Sequence, residues 1–352
     1  MTRVDAIIFH PAPVASAGSL TAALASIRRW NADRQAVGFE RAGARARVVE
    51  SGEDDRPFGQ RVREALDGSR SDGAVLLGSG SIPLATAADR RAFVATAAGP
   101  AGHALANNRY SADAVAVAGT ALLGSLPDLA SDNGLPRWLA EFAGYDVEDL
   151  RRRWRLQVDL DSPLDALLAA PGAAREMLGT IDASTVEVRG VLAAVRATSR
   201  DPRRELIVAG RASAGGLAWL ERATASRTRA LIEERGFRTR ADGQAPVRST
   251  LGLLLDREGP DALGGLLARL GDAALIDSRV LLAHRFGADD HTWPDPDDRF
   301  ASDLLLADRV ADPWLRALTR AAVDAPIPIV LGGHSLVGPG LRLALAERPT
   351  WI

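Results

Sequence analysis

The chain has 352 residues, of which 47% are hydrophobic and 25% charged, and its formal net charge is −2. This length predicts two domains, and the small net charge gives no electrostatic reason to expect nucleic acid or an anionic membrane as a partner. No apolar run approaches the roughly 18 residues of a membrane span, and the first residues lack the layout of a signal peptide. We therefore expect a cytoplasmic protein.

Two amino acids, cysteine and lysine, are absent from the sequence. Without cysteine there are no thiol nucleophiles, iron–sulfur clusters or thiolate zinc sites. Without lysine there is no Schiff-base chemistry and no Walker-type phosphate loop. Any phosphate must therefore be bound by arginine, histidine, backbone N–H groups or a metal ion.

The first half of the chain alternates apolar runs with amphipathic segments. Strands are predicted at 4–9, 43–50, 73–78 and 113–119, and helices at 19–30, 58–68, 87–98, 135–145 and 146–154. Thr86 is the predicted N-cap of the helix at 87–98, and the stretch 156–170 is predicted to pass from a strand into a helix capped by Ser162. This alternation predicts an α/β protein with a mainly parallel sheet covered by helices on both faces.

The pattern restarts after 170–174, which predicts a first domain at 1–172 and a second α/β domain at 180–352. In the second half, helices are predicted at 183–197 and 214–236, a strand at 205–210, two short helices broken at Gly259-Pro260, and helical pieces over 301–324. Residues 274–286 fit either a strand or a helix, and 287–303 is predicted to be mostly irregular. The stretch 326–347 is predicted to form a strand, a glycine-rich loop and a helix.

Three segments of the first half carry a family resemblance. They are LLGSGSIPLATAAD at 76–89, SDNGLPRWLAEF at 131–142 and VDLDSPLDAL at 158–167. Their order and spacing over residues 1–170 resemble the GT-A-type nucleotidyltransferases, in particular the molybdopterin and phospholactate guanylyltransferases. The resemblance implies a GT-A-like fold and magnesium-dependent transfer of a nucleotidyl group from a nucleoside triphosphate to a small phosphorylated or hydroxylated acceptor.

The same resemblance implies a set of site residues. Asp159 and Asp161 would bind magnesium, the loop Gly78, Ser79, Gly80 and Ser81 would contact the nucleotide, and Asn108 and Arg109 would complete the nucleotide and acceptor site. Asp161 could instead be only the cap of the following helix.

The sequence departs from the family at two places. The family's loop after the first strand carries an arginine and a lysine, whereas here FHPAPVASAGSL offers only His10 before Arg28. The family's metal-binding aspartate falls near Gly80. Because cations stabilise the charge that develops on the phosphates, these losses leave a second hypothesis open: a catalytically silent nucleotide-binding or regulatory protein. The sequence leaves the oligomeric state open.

A third hypothesis places an anion-binding or enzymatic site in the second domain. The turns VAGRASAGG at 208–216 and VLGGHSLVGPG at 330–340 each follow an apolar strand and precede a helix, a setting that suits anions. The candidate residues are Arg211, Ser213, Arg279, His284, Gly333, His334 and Ser335. As a loop residue, Arg211 is expected to contribute little to the core.

Two further motifs have competing interpretations. GHSLV at 333–337 lacks the second glycine of a G-x-S-x-G elbow, and no histidine follows His334, so a serine hydrolase is not predicted. The Asp- and His-rich stretch 277–298 could bind a divalent metal. It lacks H-x-H and H-E-x-x-H spacing, and the pattern favours a solvated acidic loop anchored by Trp293 and Pro294.

Overall fold

The computed structural model describes residues 2–13, 16–51, 56–179, 184–234 and 246–346. The chain divides into two compact units, Met1–Ser16 with Ala25–Leu160 and Ala17–Leu24 with Asp161–Ile352. Both units are α/β, which confirms the predicted fold class. The predicted domain ranges, 1–172 and 180–352, stay a prediction. Within the described ranges, no helix has the length and apolar character needed to cross a bilayer.

The first unit is built on one mixed sheet. Its strands are β1 (Val4–Pro11), β2 (Arg45–Ser51), β3 (Gly73–Gly78), β4 (His103–Ala106), β5 (Ala114–Ala118) and β6 (Asp146–Asp149). Its helices are α1 (Ser19–Arg41, shared with the second unit), α2 (Phe58–Leu66), α3 (Ala87–Ala97) and α4 (Gly134–Glu141). The strand order is β2-β1-β3-β5-β4-β6, and β5 runs antiparallel to both of its neighbours while the other pairings are parallel.

The central strands of this sheet are buried on both faces, as their continuous apolar runs predict. Ile8 and Leu77 pack into one core cluster, while Ile7 and Leu76 pack into another. The N-cap of helix α3 is Thr86, whose hydroxyl accepts a hydrogen bond from the N–H of Asp89 in a capping box. The predicted N-cap is therefore confirmed.

Two predicted elements in the first unit are wrong. Residues 146–154, predicted to be helical, begin with β6, because Asp146–Asp149 pairs in parallel with β4. The strand predicted to start at 156 is replaced by a 3₁₀ turn at Trp154–Gln157 and a single bridge between Ser81 and Asp159. In both cases pairing with a distant strand or loop decides the structure, which local propensity does not reveal.

The second unit contains a four-stranded parallel sheet. Its strands are β7 (Glu205–Gly210), β8 (Arg227–Ile232), β9 (Ala273–Asp277) and β10 (Ile329–Gly332), in the order β10-β9-β7-β8. Its helices are α5 (Pro163–Ala169), α6 (Pro171–Leu178), α7 (Ser184–Ser199), α8 (Ala214–Ala223), α9 (Thr250–Glu258), α10 (Leu263–Ala268), α11 (Ser278–Phe286), α12 (Pro296–Asp303), α13 (Pro313–Val323), α14 (His334–Val337) and α15 (Leu341–Leu345).

The structure corrects the long helix predicted at 214–236. Helix α8 ends at Ala223, and β8 follows after a three-residue connection; the predicted end at Gly236 lies outside the described residues. The ambiguous stretch 274–286 contains the last part of β9 followed by α11, with Asp277 as the N-cap of that helix. Within the stretch predicted to be irregular, α12 begins at Pro296.

Each sheet has a point at which the strand order reverses next to its first strand. In the first unit β2 lies on one side of β1 and β3 on the other, and in the second unit β8 and β9 flank β7 in the same way. The carboxyl ends of strands at such a switch point leave a crevice where open α/β sheets bind ligands.

Candidate functional site

At the switch point of the first unit, His10 faces the loop that follows β3. Phe9 of β1 is in register with Gly78 of β3, and one residue further His10 Nδ1 lies 3.1 Å from Ser79 Oγ. Both side chains are buried. Burial lowers the pKa of His10, and the nearby Arg29 and Arg28 lower it further against the opposing effect of Glu50. The ring is therefore neutral at pH 7.

Helix α1 fixes the backbone of this loop with two buried amides. Asn31 Nδ2 donates to the carbonyl oxygens of Ser79 (2.8 Å) and Ser81 (3.1 Å), and Gln35 Nε2 donates to that of Ile82 (2.8 Å). Ile82 has a φ of +43°, a strained value for a β-branched residue. Asn31 and Gln35 belong to none of the predicted motifs, and the one signal for them in the sequence is that two amides four residues apart on a helix share one face.

The segment around Asp159 packs directly against Gly80. The N–H of Leu160 donates to the carbonyl of Gly80 over 3.1 Å, next to the bridge between Ser81 and Asp159. A Cβ at position 80 would lie 2.8 Å from Asp159 Oδ1 and 3.3 Å from the carbonyl oxygen of Leu160. Glycine at position 80 therefore gives the room that this close packing needs.

The carboxylates expected to bind magnesium are divided between the units. Asp159 belongs to the first unit, and Asp161 to the second, where its Oδ2 lies 4.0 Å from His334 Nδ1. Position 80 supplies no third carboxylate. The donor set of the loop does not fit the magnesium ion that the resemblance implies, so the magnesium site stays a prediction that this geometry does not favour. Ser162 caps α5, so the interpretation of Asp161 as the cap is wrong.

Asn108 and Arg109 follow β4 at the same edge of the sheet as the loop after β3, since β3 and β4 both run antiparallel to β5. Asn108 Nδ2 donates to Gln157 Oε1 over 3.0 Å. The N–H of Arg109 lies 3.5 Å from a carboxylate oxygen of Asp149. The structure thus brings the predicted nucleotide-binding residues of the first unit to one edge.

At the switch point of the second unit, Arg211 binds Asp277 through two guanidinium nitrogens. Arg211 follows β7 and Asp277 ends β9; Nε lies 2.6 Å from Oδ2, and Nη2 lies 3.0 Å from Oδ1. The Asp277 side chain is 0% exposed and that of Arg211 13%. Burial is the largest single influence and would raise the pKa of Asp277, but the charge and hydrogen bonds of Arg211, together with His334, outweigh it and hold that pKa below its usual value.

A second buried ion pair lies beside the first. Arg279 donates to both carboxylate oxygens of Asp303 at 2.6 Å and to Ser278 Oγ at 2.9 Å. With Arg211 and Arg279 both neutralised, an anionic ligand would have to compete with Asp277 or Asp303 for its arginine. These two ion pairs weaken the hypothesis of an anion-binding site at this edge of the second sheet.

Asp165, at the start of α5, is a buried acid whose pKa is raised. Burial raises its pKa to about 8, and the charge of Asp161 raises it as well, while the hydrogen bond from Ser162 opposes the change. Ser162 Oγ lies 2.8 Å from Asp165 Oδ2. Asp165 therefore carries its proton at neutral pH, which the sequence pattern gave no reason to expect.

The other predicted site residues of the second unit do not all lie in one cluster. His334 lies close enough to Asp277 to contribute to the lowered pKa of that carboxylate, and Gly333 precedes His334 directly after β10. Ser335 Oγ is buried and has no hydrogen-bond partner among the described residues. Ser213 caps α8. The ring of His284 instead packs against α9, where it bonds the N–H of Ser249 and the carboxylate of Asp256.

The acidic stretch consists largely of capping residues. Asp297 accepts hydrogen bonds from Thr21 at the start of α1, Asp295 caps α12, and Asp298 binds two backbone N–H groups near α13. The ligand atoms of Asp289, Asp290 and His291 lie within 4.8 Å of one another, the one such group of three in the described ranges. Asp289 and His291 are exposed, and exposed acidic groups are common without a bound ion, so we assign these three side chains no site.

A surface cleft of about 400 Å³ lies between α10 and α13, lined by Gly264, Arg320 and Asp324 among others. It contains none of the predicted site residues.

Comparison of the chain with protein families, curated proteins and solved structures gives no significant match. Its function is therefore argued from geometry.

Proposed function

We propose that the first unit is a nucleotidyltransferase-like domain that binds a nucleotide, or a similar small anionic ligand, without transferring a nucleotidyl group. One observation carries this proposal. Two segments that account for the family resemblance, the loop at 78–81 and the segment at 158–160, are far apart in the sequence but meet through the Ser81–Asp159 bridge and the Leu160–Gly80 hydrogen bond. Such a meeting is expected if both segments belong to one ligand site.

Cationic groups near this edge support the binding of phosphate. Arg28 of α1 donates through Nε to the carbonyl of Leu160 over 2.6 Å, and the same nitrogen would lie 3.3 Å from a Cβ at position 80. Arg28 thereby brings a positive charge to a loop region that lacks the family's basic residues. Arg109 adds a second guanidinium after β4, and guanidinium groups form the strongest hydrogen bonds to phosphate.

The loss of transfer activity follows from the packing at Gly80. A metal-binding carboxylate at that position would overlap the space of Asp159. Asn31 and Gln35 already bind the loop carbonyls. Without a metal ion to neutralise the leaving pyrophosphate, the barrier to transfer stays high.

Thermal unfolding with each nucleoside triphosphate, in magnesium and in EDTA, tests the proposal. A ligand that binds the native state raises the melting temperature by mass action. We expect at least one nucleotide to stabilise the chain equally in both buffers, with no release of pyrophosphate. Stabilisation that requires magnesium, together with pyrophosphate release, would instead show an active transferase. The absence of a shift with every nucleotide would refute nucleotide binding.

A pair of matched variants locates the site. Arg109→Gln removes the guanidinium after β4 and should reduce the nucleotide-dependent shift. Arg91→Gln makes the same change at an exposed position of α3 and should leave the shift unchanged. Equal effects of the two variants would place binding elsewhere.

A further inference from the structure

Strand β8 lies at an edge of the second unit's sheet. Among the described residues it pairs with β7 on one side only, at the end of the order β10-β9-β7-β8. Its residues Arg227, Arg229, Ala230 and Ile232 are exposed, and Ile232 retains 45% of its accessible surface. Strands of parallel sheets are usually covered on both faces, and an edge strand with free peptide groups is a template for another strand.

The hydrogen bonds to β7 show which peptide groups face the open edge. The N–H of Arg227 donates to the carbonyl of Arg204, and the N–H of Glu233 donates to that of Gly210, each over 3.0 Å. Peptide groups alternate in direction along a strand. The backbone N–H and C=O groups of the odd-numbered residues therefore face β7, and those of Thr228, Ala230 and Ile232 face outward.

We propose that β8 pairs with β8 of a second copy of this chain in an antiparallel ladder centred on Ala230. This proposal is independent of the nucleotide site. In this register Ala230 faces Ala230 of the partner subunit, and Thr228 faces Ile232 of the partner subunit. Both pairings use outward-facing peptide groups, and the two four-stranded sheets become one continuous sheet across a two-fold axis.

Charge complementarity selects this register. Arg227 falls opposite Glu233 of the partner subunit, and the two-fold axis repeats the pair. Within its own chain the Glu233 carboxylate accepts hydrogen bonds from the Ser249 hydroxyl and the Thr250 N–H, which hold its negative charge at the end of β8. Arg229 falls opposite Leu231 of the partner subunit. A register centred on Arg229 would instead place that arginine opposite its own copy, and like charges directly opposite each other are destabilising. A second copy of this chain carries both Arg227 and Glu233 and therefore supplies both opposite-charge pairs. A strand of unrelated sequence would not in general carry these two charges at these two positions.

Light scattering after size exclusion, over about a hundredfold range of protein concentration, tests the proposal with the full chain. We expect a concentration-dependent dimer. Ala230→Pro should leave the monomer folded, since proline is tolerated where the N–H faces out of a sheet edge, and should abolish dimerisation. A wild-type chain that stays monomeric throughout would overturn the proposal.

Charge variants test the register. Arg227→Glu places like charges opposite each other twice and should raise the dimer dissociation constant at least about tenfold. Arg269→Glu changes the charge equally at an exposed residue outside β8 and should leave the dissociation constant unchanged. A dimer that persists in both Ala230→Pro and Arg227→Glu uses another surface and refutes the pairing.

Hydrogen exchange distinguishes self-pairing from the capture of a different strand. The amides of Thr228, Ala230 and Ile232 should exchange more slowly as the concentration of the purified chain rises. Unchanged exchange at these amides in a dimeric sample would contradict the proposal. So would protection that does not depend on the concentration of the chain.

Discussion

His10 Nδ1 lies 3.1 Å from Ser79 Oγ across the switch point of the first sheet. Arg211 and Asp277 occupy the corresponding place in the second sheet, after β7 and at the end of β9. In each unit a side-chain pair thus lies at the crevice where open α/β sheets bind ligands. The first pair is formed by neutral groups and the second by opposite charges, so a ligand meets a different environment at each edge.

Substitution of His10 should change how stability depends on pH. The pKa of His10 in the folded state is lowered, first by burial and then by Arg29. A buried neutral histidine contributes stability that is present above its unfolded pKa and is lost as pH falls through the folded pKa. The unfolding free energy of the wild type should therefore fall between pH 7 and pH 5 more steeply than that of His10→Asn. Urea titrations at several pH values measure both slopes.

His103→Asn serves as the control for that comparison. The His103 side chain is 52% exposed, and its substitution should leave the slope of the wild type nearly unchanged. Identical slopes for the wild type and for His10→Asn would contradict the role assigned to burial of His10.

Removal of Arg211 should destabilise the second unit strongly. Arg211→Ala leaves the Asp277 carboxylate buried without its cation, a change that costs about 3–5 kcal/mol in comparable buried pairs. This replaces the expectation from the sequence that a loop arginine contributes little to the core. Chemical unfolding followed by circular dichroism measures the loss.

The matched control for Arg211 is Arg203→Ala. The Arg203 side chain is 87% exposed, and its removal should cost no more than about 0.5 kcal/mol. If the two variants lose similar amounts of stability, the Arg211–Asp277 pair is not the buried contact described.

The elements that the sequence predicted well are those whose signals are local. Buried strands such as β3 have continuous apolar runs, and Thr86 and Ser162 are caps recognisable from their neighbours. Strand β8 was missed because its exposed arginines fit a solvated helix face, and only pairing with β7 makes it a strand. The partners of His10 and Arg211 were missed because a buried pair joins residues more than sixty positions apart.

Asn31 should be required for the conformation of the loop after β3. Asn31→Ala removes the donor that binds the carbonyls of Ser79 and Ser81. An unsatisfied buried acceptor costs about 1–3 kcal/mol, so the unfolding free energy should fall by at least that amount. Asn108→Ala removes a half-buried amide and should cost less. Equal losses in the two variants would show that the loop does not depend on Asn31.

Asp165 makes the stability of the second unit depend on pH in the opposite direction to His10. Its pKa is raised to about 8, chiefly by burial and then by Asp161, whereas the unfolded chain ionises near the ordinary value of about 4. Between these two values the unfolded state loses the proton and the folded state keeps it. The stabilising contribution is therefore complete below the unfolded pKa and is lost progressively as pH rises toward the folded pKa.

Asp165→Asn should remove this dependence, since the amide fills nearly the same space and does not titrate. The variant should gain stability relative to the wild type as pH rises from 5 to 7.5, by at most roughly 1.4 kcal/mol per pH unit. Asp324→Asn, at an exposed position after α13, should run parallel to the wild type over the same range. Urea unfolding of the three proteins at each pH gives the differences directly. If the Asp165→Asn curve also runs parallel to the wild type, Asp165 is already ionised in the folded protein and its assigned proton is wrong.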